Sequence, residues 1–134
     1  MAGTVSVNKS FPDKLETAYM TLWIDDGILH CKFCDSLDMD LDIAKNCVGE
    51  RVTFSNFTSY PCLIDMKGLV SVTKEAREYM AADGSLFITA GALLVNNSLT
   101  KMLGNLFLNI NKPKVPTRIF TEEEEAKKWL KQFL

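Results

Sequence analysis

The feature that most constrains the fold is an alternation of two hydrophobic periods from residue 41 to the C terminus. Short apolar runs at residues 62–65, 89–95 and 117–120 are typical of buried strands. Around these runs, apolar residues recur every three or four positions, which indicates amphipathic helices. Strands that alternate with helices form mostly parallel sheets with right-handed crossovers. The pattern therefore predicts an α/β protein.

A β-hairpin is predicted ahead of this alternation. Two faces of a strand are formed by Tyr19, Thr21 and Trp23 and by Met20, Leu22 and Ile24. Asp25-Asp26-Gly27 then supplies turn residues, and Ile28–Phe33 resumes the strand pattern. In the second strand His30 falls on the face opposite Cys31, so we expect an outward or half-exposed imidazole. The full order is ββαβαβαβα, which predicts a mixed, mostly parallel sheet with covering helices.

Three helix starts carry capping signals. Asp40 or Asp42 begins the first helix, and Thr73 suits the N-cap position of the second. The Asn96-Asn97-Ser98 segment ends a strand and caps the third helix. Side chains of these types accept hydrogen bonds from the free amides of a first helical turn.

The last two helices have further signals. Thr121 and Glu124 form a capping box ahead of the C-terminal helix. In the third helix we expect one apolar stripe to face the core, formed by Leu99, Met102, Leu103, Leu106, Phe107 and Ile110.

The composition is that of one ordinary domain. The 134 residues are 47% hydrophobic, which suffices for a single core. We interpret residues 1–16 as a flexible N-terminal arm and residues 17–134 as the domain. Because no apolar run approaches the roughly 20 residues that cross a bilayer, we expect no membrane span. The N terminus has no signal-peptide pattern, so we expect a cytoplasmic protein.

The charge is near neutral in sum and polarised along the chain. A net charge of −2 provides no drive toward nucleic acid, and we expect no nucleic-acid partner. Residues 13–50 carry nine acidic side chains against three lysines, whereas residues 96–118 carry four basic side chains and no acidic ones. Two interpretations stay open: a solvated surface, or a docking surface for an oppositely charged partner or anion.

The chain offers little for catalysis or metal binding. The only histidine, His30, lies beside Cys31 and Cys34, but a zinc site would need further ligands. Neighbouring residues of a strand also point to opposite faces. We find no nucleophile motif, and we predict a non-enzymatic protein without a metal or cofactor.

Five segments carry a resemblance to a known fold family. A strand ends in Leu63-Ile64-Asp65, a Lys67-Gly68-Leu69 turn follows, and a helix starts near Thr73. An Arg118-Ile119-Phe120-Thr121 run leads into a helix that ends in Trp129-Leu130. Over the whole predicted domain this order resembles the STAS, or SpoIIAA-like, fold of anti-sigma-factor antagonists.

A narrower resemblance is carried by shorter stretches, at residues 73–79, 92–95, 104–105, 111–113 and 116–118. These stretches resemble a group of small uncharacterised bacterial STAS-like proteins. That resemblance brings no known activity with it.

Resemblance to the antagonists implies a protein-binding switch that is phosphorylated on a serine or threonine at the start of the second helix. Here Thr73-Lys74-Glu75-Ala76 replaces the Asp-Ser-Ser-Gly pattern of that family. Only Ser71 and Thr73 are hydroxyl side chains nearby, and we interpret Thr73 first as an N-cap. We therefore expect no ordinary phosphoserine switch.

Two functions are compatible with these features. The leading hypothesis is a protein-interaction or regulatory module whose surface is the loop at residues 67–73 with the second helix. Its candidate residues are Lys67, Ser71, Thr73, Lys74, Glu75 and Glu78. A homodimer is also compatible with the sequence, because the edge strand of the hairpin offers unpaired backbone groups.

The alternative is a binder of a small anionic or amphipathic molecule at the carboxyl ends of the strands, where open α/β sheets collect ligands. Those ends are expected to present Asp65, Lys67, Asn96, Asn97 and Ser98. A basic turn close by would contribute Lys112, Lys114 and Arg118.

Overall fold

The computed structural model describes residues 13–134. Its strands are β1 (Lys14–Glu16), β2 (Met20–Asp25), β3 (Ile28–Phe33), β4 (Leu37–Met39), β5 (Tyr60–Asp65), β6 (Leu69–Val72), β7 (Ile88–Leu94) and β8 (Thr117–Phe120). Its α-helices are α1 (Leu41–Phe54), α2 (Lys74–Ala81), α3 (Ser98–Leu106) and α4 (Glu123–Leu130). A π-helical turn, Phe107–Asn111, continues α3.

Six strands form one sheet in the order β1-β2-β3-β5-β7-β8. The pairs β1/β2 and β2/β3 are antiparallel, and β3/β5, β5/β7 and β7/β8 are parallel. The predicted hairpin joins β2 to β3, and its turn residues Asp26 and Gly27 have φ of 56° and 80°. The mixed, mostly parallel sheet with covering helices is therefore confirmed.

The two faces of this sheet have different covers. One face, called the three-helix face, packs against α1, α2 and α3, and its strand residues include Leu22, Leu29, Cys31, Cys62 and Leu93. The other face, called the α4 face, packs against α4 through Ile28, Leu63, Ala90, Ala92 and Leu94. Because side chains alternate along a strand, β3, β5, β7 and β8 contribute to both cores.

The predicted caps of the first three helices are confirmed. The Asp40 carboxylate accepts from the Ile43 amide at 2.9 Å, and the Thr73 hydroxyl accepts from the Ala76 amide at 3.2 Å. Asn97 forms a reciprocal capping box with Thr100 at the start of α3. The first amides of a helix lack partners within the helix, and a side chain close by in the sequence supplies the acceptor. These positions can therefore be predicted from the local sequence.

The capping box predicted for the last helix is wrong. The N-cap of α4 is Glu122, and its side chain makes no capping bond. The β8 ladder runs to Phe120, whose carbonyl accepts from the Val95 amide at 2.9 Å. Thr121 and Glu122 therefore belong to the turn after β8, and α4 begins beyond the predicted cap, Thr121.

A short ribbon beside the main sheet was missed by the sequence patterns. Strands β4 and β6 pair in parallel, and the Leu37 amide donates to the Gly68 carbonyl at 3.0 Å. A Cβ on Gly68 would overlap the backbone carbonyl of Cys34, so this turn requires glycine. The ribbon carries the chain from β5 to the start of α2.

The apolar stripe predicted to face inward in the third helix does so only in part. Leu103 is buried, whereas Leu99, Met102 and Ile110 are 37%, 52% and 69% exposed. The buried strip of α3 is narrower and includes two small residues, Thr100 and Gly104. Because small residues let the helix approach the sheet closely, the large side chains on the flank of α3 remain outside.

The edges of the sheet differ from expectation. The hairpin strand β2 is covered by β1, so the edge strands of the described sheet are β1 and β8. Of the predicted N-terminal arm, residues 14–16 form β1, and residues 1–12 lie outside the described residues. None of the helices in the described part of the chain combines the length and apolar character needed to cross a membrane.

Candidate functional site

The structure divides the predicted site residues between the two faces of the sheet. Asp65 lies on the α4 face, since it shares the strand alternation of Leu63. Its carboxylate pairs with the Lys67 ammonium at 3.1 Å and accepts from the Lys67 amide at 3.0 Å. These two residues therefore engage each other.

Arg118 of the predicted basic turn also lies on the α4 face. Its guanidinium carbon is 5.3 Å from the ring centre of Phe120 and 5.6 Å from that of Trp129. Lys112 and Lys114 line a cleft with α2, which packs on the three-helix face. The predicted basic set is consequently split by the sheet.

Several predicted polar residues have structural partners. Asn97 caps α3, and the flanking Asn96 and Ser98 are exposed. Ser71 donates from its hydroxyl to the Asp38 carboxylate at 2.5 Å across the β4/β6 ribbon. Thr73 is occupied as the N-cap of α2.

The structure brings together two predicted regions that are distant in the sequence. Residues of α2 and the turn that follows the π-helical segment line a cleft of about 390 Å³, here called the basic cleft. Its lining residues are Lys74, Arg77, Glu78, Ala81, Ala82, Ile110, Asn111, Lys112 and Lys114. It contains four cationic side chains and one carboxylate.

Backbone geometry positions the lysines of this cleft. The Lys112 amide donates to the Phe107 carbonyl at 3.0 Å, which closes the π-helical turn, and Lys112 itself is left-handed with φ of 54°. Pro113 cannot continue a helix. The Lys114 amide then donates to the Ala81 carbonyl at 3.3 Å, which ties the basic turn to the end of α2.

Arg77 joins the two walls of the basic cleft. Its Nε donates to the Asn111 side chain at 3.3 Å, and its Nη1 donates to the Val72 carbonyl at 2.9 Å. The sequence interpretation omitted Arg77. A signal was available, because Arg77 follows Lys74 by three residues and so shares its helix face.

The basic cleft has an excess of positive charge. Lys74 and Glu78 lie 4.0 Å apart with side chains that are 73% and 56% exposed, so this pair is weak. Among residues 13–134, no carboxylate lies within ion-pair distance of Arg77, Lys112 or Lys114. An anion that entered the cleft would therefore meet cations without strong acidic competitors. Glu75 is exposed and lies outside the lining.

His30 differs from the expected outward residue, since it is 3% exposed. Its ring stacks on Trp23 with centroids 4.7 Å apart and an interplanar angle of 12°. Nε2 has no hydrogen-bond partner in the described part of the chain. Burial is the main cause that lowers the pKa of His30, and the nearby Lys127 ammonium adds to it. The prediction failed because the Trp23 ring and α4 lie over a strand face that alternation alone would leave outward.

Residues 22–134 match a family model described as Domain of unknown function (DUF7793). The chain belongs to the DUF7793 family. The matched range begins in β2 and includes both walls of the basic cleft.

Among solved structures, the chain is similar to an uncharacterised protein from the DUF3478 family with a SpoIIAA-like fold, from Shewanella loihica PV-4. The two share 10% sequence identity with a TM-score of 0.58, and the match covers 93% of this DUF7793 chain and 99% of the other. At this identity the likeness shows the fold alone, and it confirms the STAS-like prediction. A search of curated proteins finds no match.

Proposed function

We propose that the chain is a non-enzymatic binding module that engages an acidic segment of a partner protein through the basic cleft. The observation that carries this proposal is the convergence of Lys74, Arg77, Lys112 and Lys114 in one cleft with a single carboxylate. Clefts lined by one sign of charge concentrate oppositely charged partners and accelerate their association.

The cleft has properties suited to an extended acidic peptide. Arg77 presents a planar guanidinium, which matches a carboxylate in geometry, and the lysines supply mobile ammonium groups around it. Ile110 is 69% exposed and lines the same cleft, so it offers an apolar contact next to the charges. Binding of this kind weakens as salt increases.

A non-enzymatic role is supported by the state of the reactive side chains. Burial raises the pKa of Cys47 and that of Cys62 to about 12, so neither thiol is poised as a nucleophile at neutral pH. His30 is buried against Trp23, where its unpartnered Nε2 has no described nucleophile to activate.

The test is a peptide-binding measurement with matched charge variants. The probe is a fluorescent peptide of eight glutamates, and the cleft variant carries Lys74→Glu, Lys112→Glu and Lys114→Glu. The control carries Lys32→Glu, Lys101→Glu and Lys128→Glu, which change the net charge equally at exposed positions outside the cleft.

We expect wild-type binding to fall with added salt, and the cleft variant to bind at least about tenfold more weakly than wild type. The control variant should lose much less. Equal losses in the two variants would mean that the protein attracts acidic peptides by net charge alone, which would refute the cleft as the binding surface.

A second candidate function is the binding of a small amphipathic anion. It is favoured by an apolar pocket on the three-helix face that shares Arg77 with the basic cleft. Native mass spectrometry of the purified protein separates the two functions, because a small-molecule binder is expected to carry a copurified ligand. The homodimer also stays a prediction, which a measurement of mass in solution checks.

A further inference from the structure

An apolar pocket opens between the sheet and the helices of the three-helix face. Its volume is about 60 Å³, and its lining is apolar apart from one arginine. Three methionines, Met39, Met66 and Met80, contribute to its walls. Methionine side chains are flexible and polarisable, so walls of this kind adapt to ligands of varied shape.

A second cavity of about 50 Å³ adjoins the first. The two share four lining residues, which are Phe33, Ile64, Met80 and Phe107. Together they approach the roughly 150 Å³ apolar cavity that binds benzene in an engineered protein core. If the shared side chains shift enough to join the two cavities, the space suits a short hydrocarbon group of about five or six carbons.

Arg77 lines both the apolar pocket and the basic cleft, and it faces the apolar pocket only with carbon atoms, since no polar atom is exposed there. Two of its nitrogens, Nε and Nη1, already donate to protein oxygens. Nη2 donates to no described residue, and no described carboxylate lies within ion-pair distance of the guanidinium. A cation in a cleft beside an apolar pocket matches an anion that carries an apolar group.

We propose that this pocket binds a small amphipathic carboxylate, with its carboxylate on Arg77 and its hydrocarbon group among the methionines. This inference rests on the second candidate function and identifies its ligand class. Lys74, Lys112 and Lys114 attract the anion to the cleft, and Arg77 holds it. The apolar walls then select ligands by chain length.

The test uses hexanoate as the probe, with hexan-1-ol as the uncharged match and acetate as the match without a chain. Affinities are measured by two-dimensional NMR titration of the full chain. We expect hexanoate to bind at least about tenfold more tightly than either match. Affinity should rise about fourfold per methylene from acetate to hexanoate, in line with the transfer free energy of one CH₂ group.

Two variants locate the binding. Arg77→Gln should weaken hexanoate at least tenfold and leave hexan-1-ol almost unchanged, because hexan-1-ol has no charge to pair with the guanidinium. Val72→Phe places a ring in the pocket and should weaken both probes. Arg118→Gln is the matched control, since it removes an arginine on the opposite face of the sheet.

The proposal is overturned if hexanoate binds no more tightly than either acetate or hexan-1-ol. It is also overturned if Arg118→Gln weakens hexanoate binding as much as Arg77→Gln does. Should Arg77→Gln fail to fold, the chain-length series and Val72→Phe still decide the outcome. Failure of hexanoate to bind, with retained acidic-peptide binding, would refute this inference alone. Loss of peptide binding in both the cleft and control variants would refute the protein-docking function alone.

Discussion

The two faces of the sheet differ in how closely their helices pack against the strands. The α4 face pairs small and large residues, Ala92 and Ala126 with Leu63 and Leu130, and these side chains are at most 2% exposed. On the three-helix face, α1, α2 and α3 cover a core that borders both apolar cavities.

The difference follows from how regular the covering helices are. A single helix over small residues approaches the sheet closely and leaves little space. On the three-helix face, α3 passes into a π-helical turn, and such turns often mark functional sites. Arg51 is buried there without an acidic partner among residues 13–134, and it donates to the carbonyls of Gly84 and Leu86 at 2.8 and 2.9 Å. The two apolar cavities thus lie on the irregular face, and the core with small residues lies on the other.

The largest expected effect is the loss of stability when one leucine on each face is replaced by alanine. Leu130→Ala on the α4 face should lower the free energy of unfolding by about 4 kcal/mol, and Leu103→Ala by about 2 kcal/mol. Leu130 is fully buried, whereas Leu103 already borders an apolar pocket. Urea unfolding measures both. Equal losses would show that the α4 face is no more tightly packed.

The next effect is a pH dependence that belongs to the α4 face. The pKa of His30 is lowered in the folded protein, so the unfolded chain binds the proton more readily. Stability should therefore fall as pH decreases through the ordinary histidine value of about 6.5. Thermal unfolding at pH 7.5 and 5.5 measures this loss.

His30→Phe is the matched variant, because phenylalanine retains the stacking on Trp23 and cannot titrate. We expect its unfolding temperature to change less between the two pH values than that of wild type. An identical change in both proteins would place the titrating groups elsewhere.

The smallest effect is a gain on the three-helix face. Gly49 lies within α1, and a Cβ there would meet no atom within 4 Å. Gly49→Ala should stabilise the protein by about 0.5 to 1 kcal/mol, because alanine loses less backbone entropy in a helix. Gly104→Ala is the contrast, since its Cβ would lie 3.1 Å from Ile119 Cδ1. A larger gain at Gly104 than at Gly49, measured by urea unfolding, would contradict close packing of α3.

Much of the fold could be predicted from local signals. The hairpin turn at Asp26 and Gly27 and the caps Asp40, Thr73 and Asn97 were predicted correctly. Each depends on a backbone requirement that neighbouring residues satisfy. The predictions failed where an element is short or its start is set by a strand, as at the β4/β6 ribbon and the N-cap of α4.

Four residues of the candidate site were predicted, but they were assigned to two separate surfaces. Lys74 and Glu78 were assigned to one surface, and Lys112 and Lys114 to another, whereas the structure places all four in the basic cleft. Arg77 was not assigned at all. Its role depends on Asn111, which lies 34 residues away in the sequence.

The sequence by itself determined the order of elements, their caps and the mostly parallel sheet, because these follow from hydrophobic period and local hydrogen bonding. Only the tertiary structure decided that His30 is buried, that Arg118 lies opposite Lys112 and Lys114, and that Arg77 meets an apolar pocket. Strand alternation states which residues share a face. It does not state which helix covers that face, since this depends on packing between residues distant in the chain.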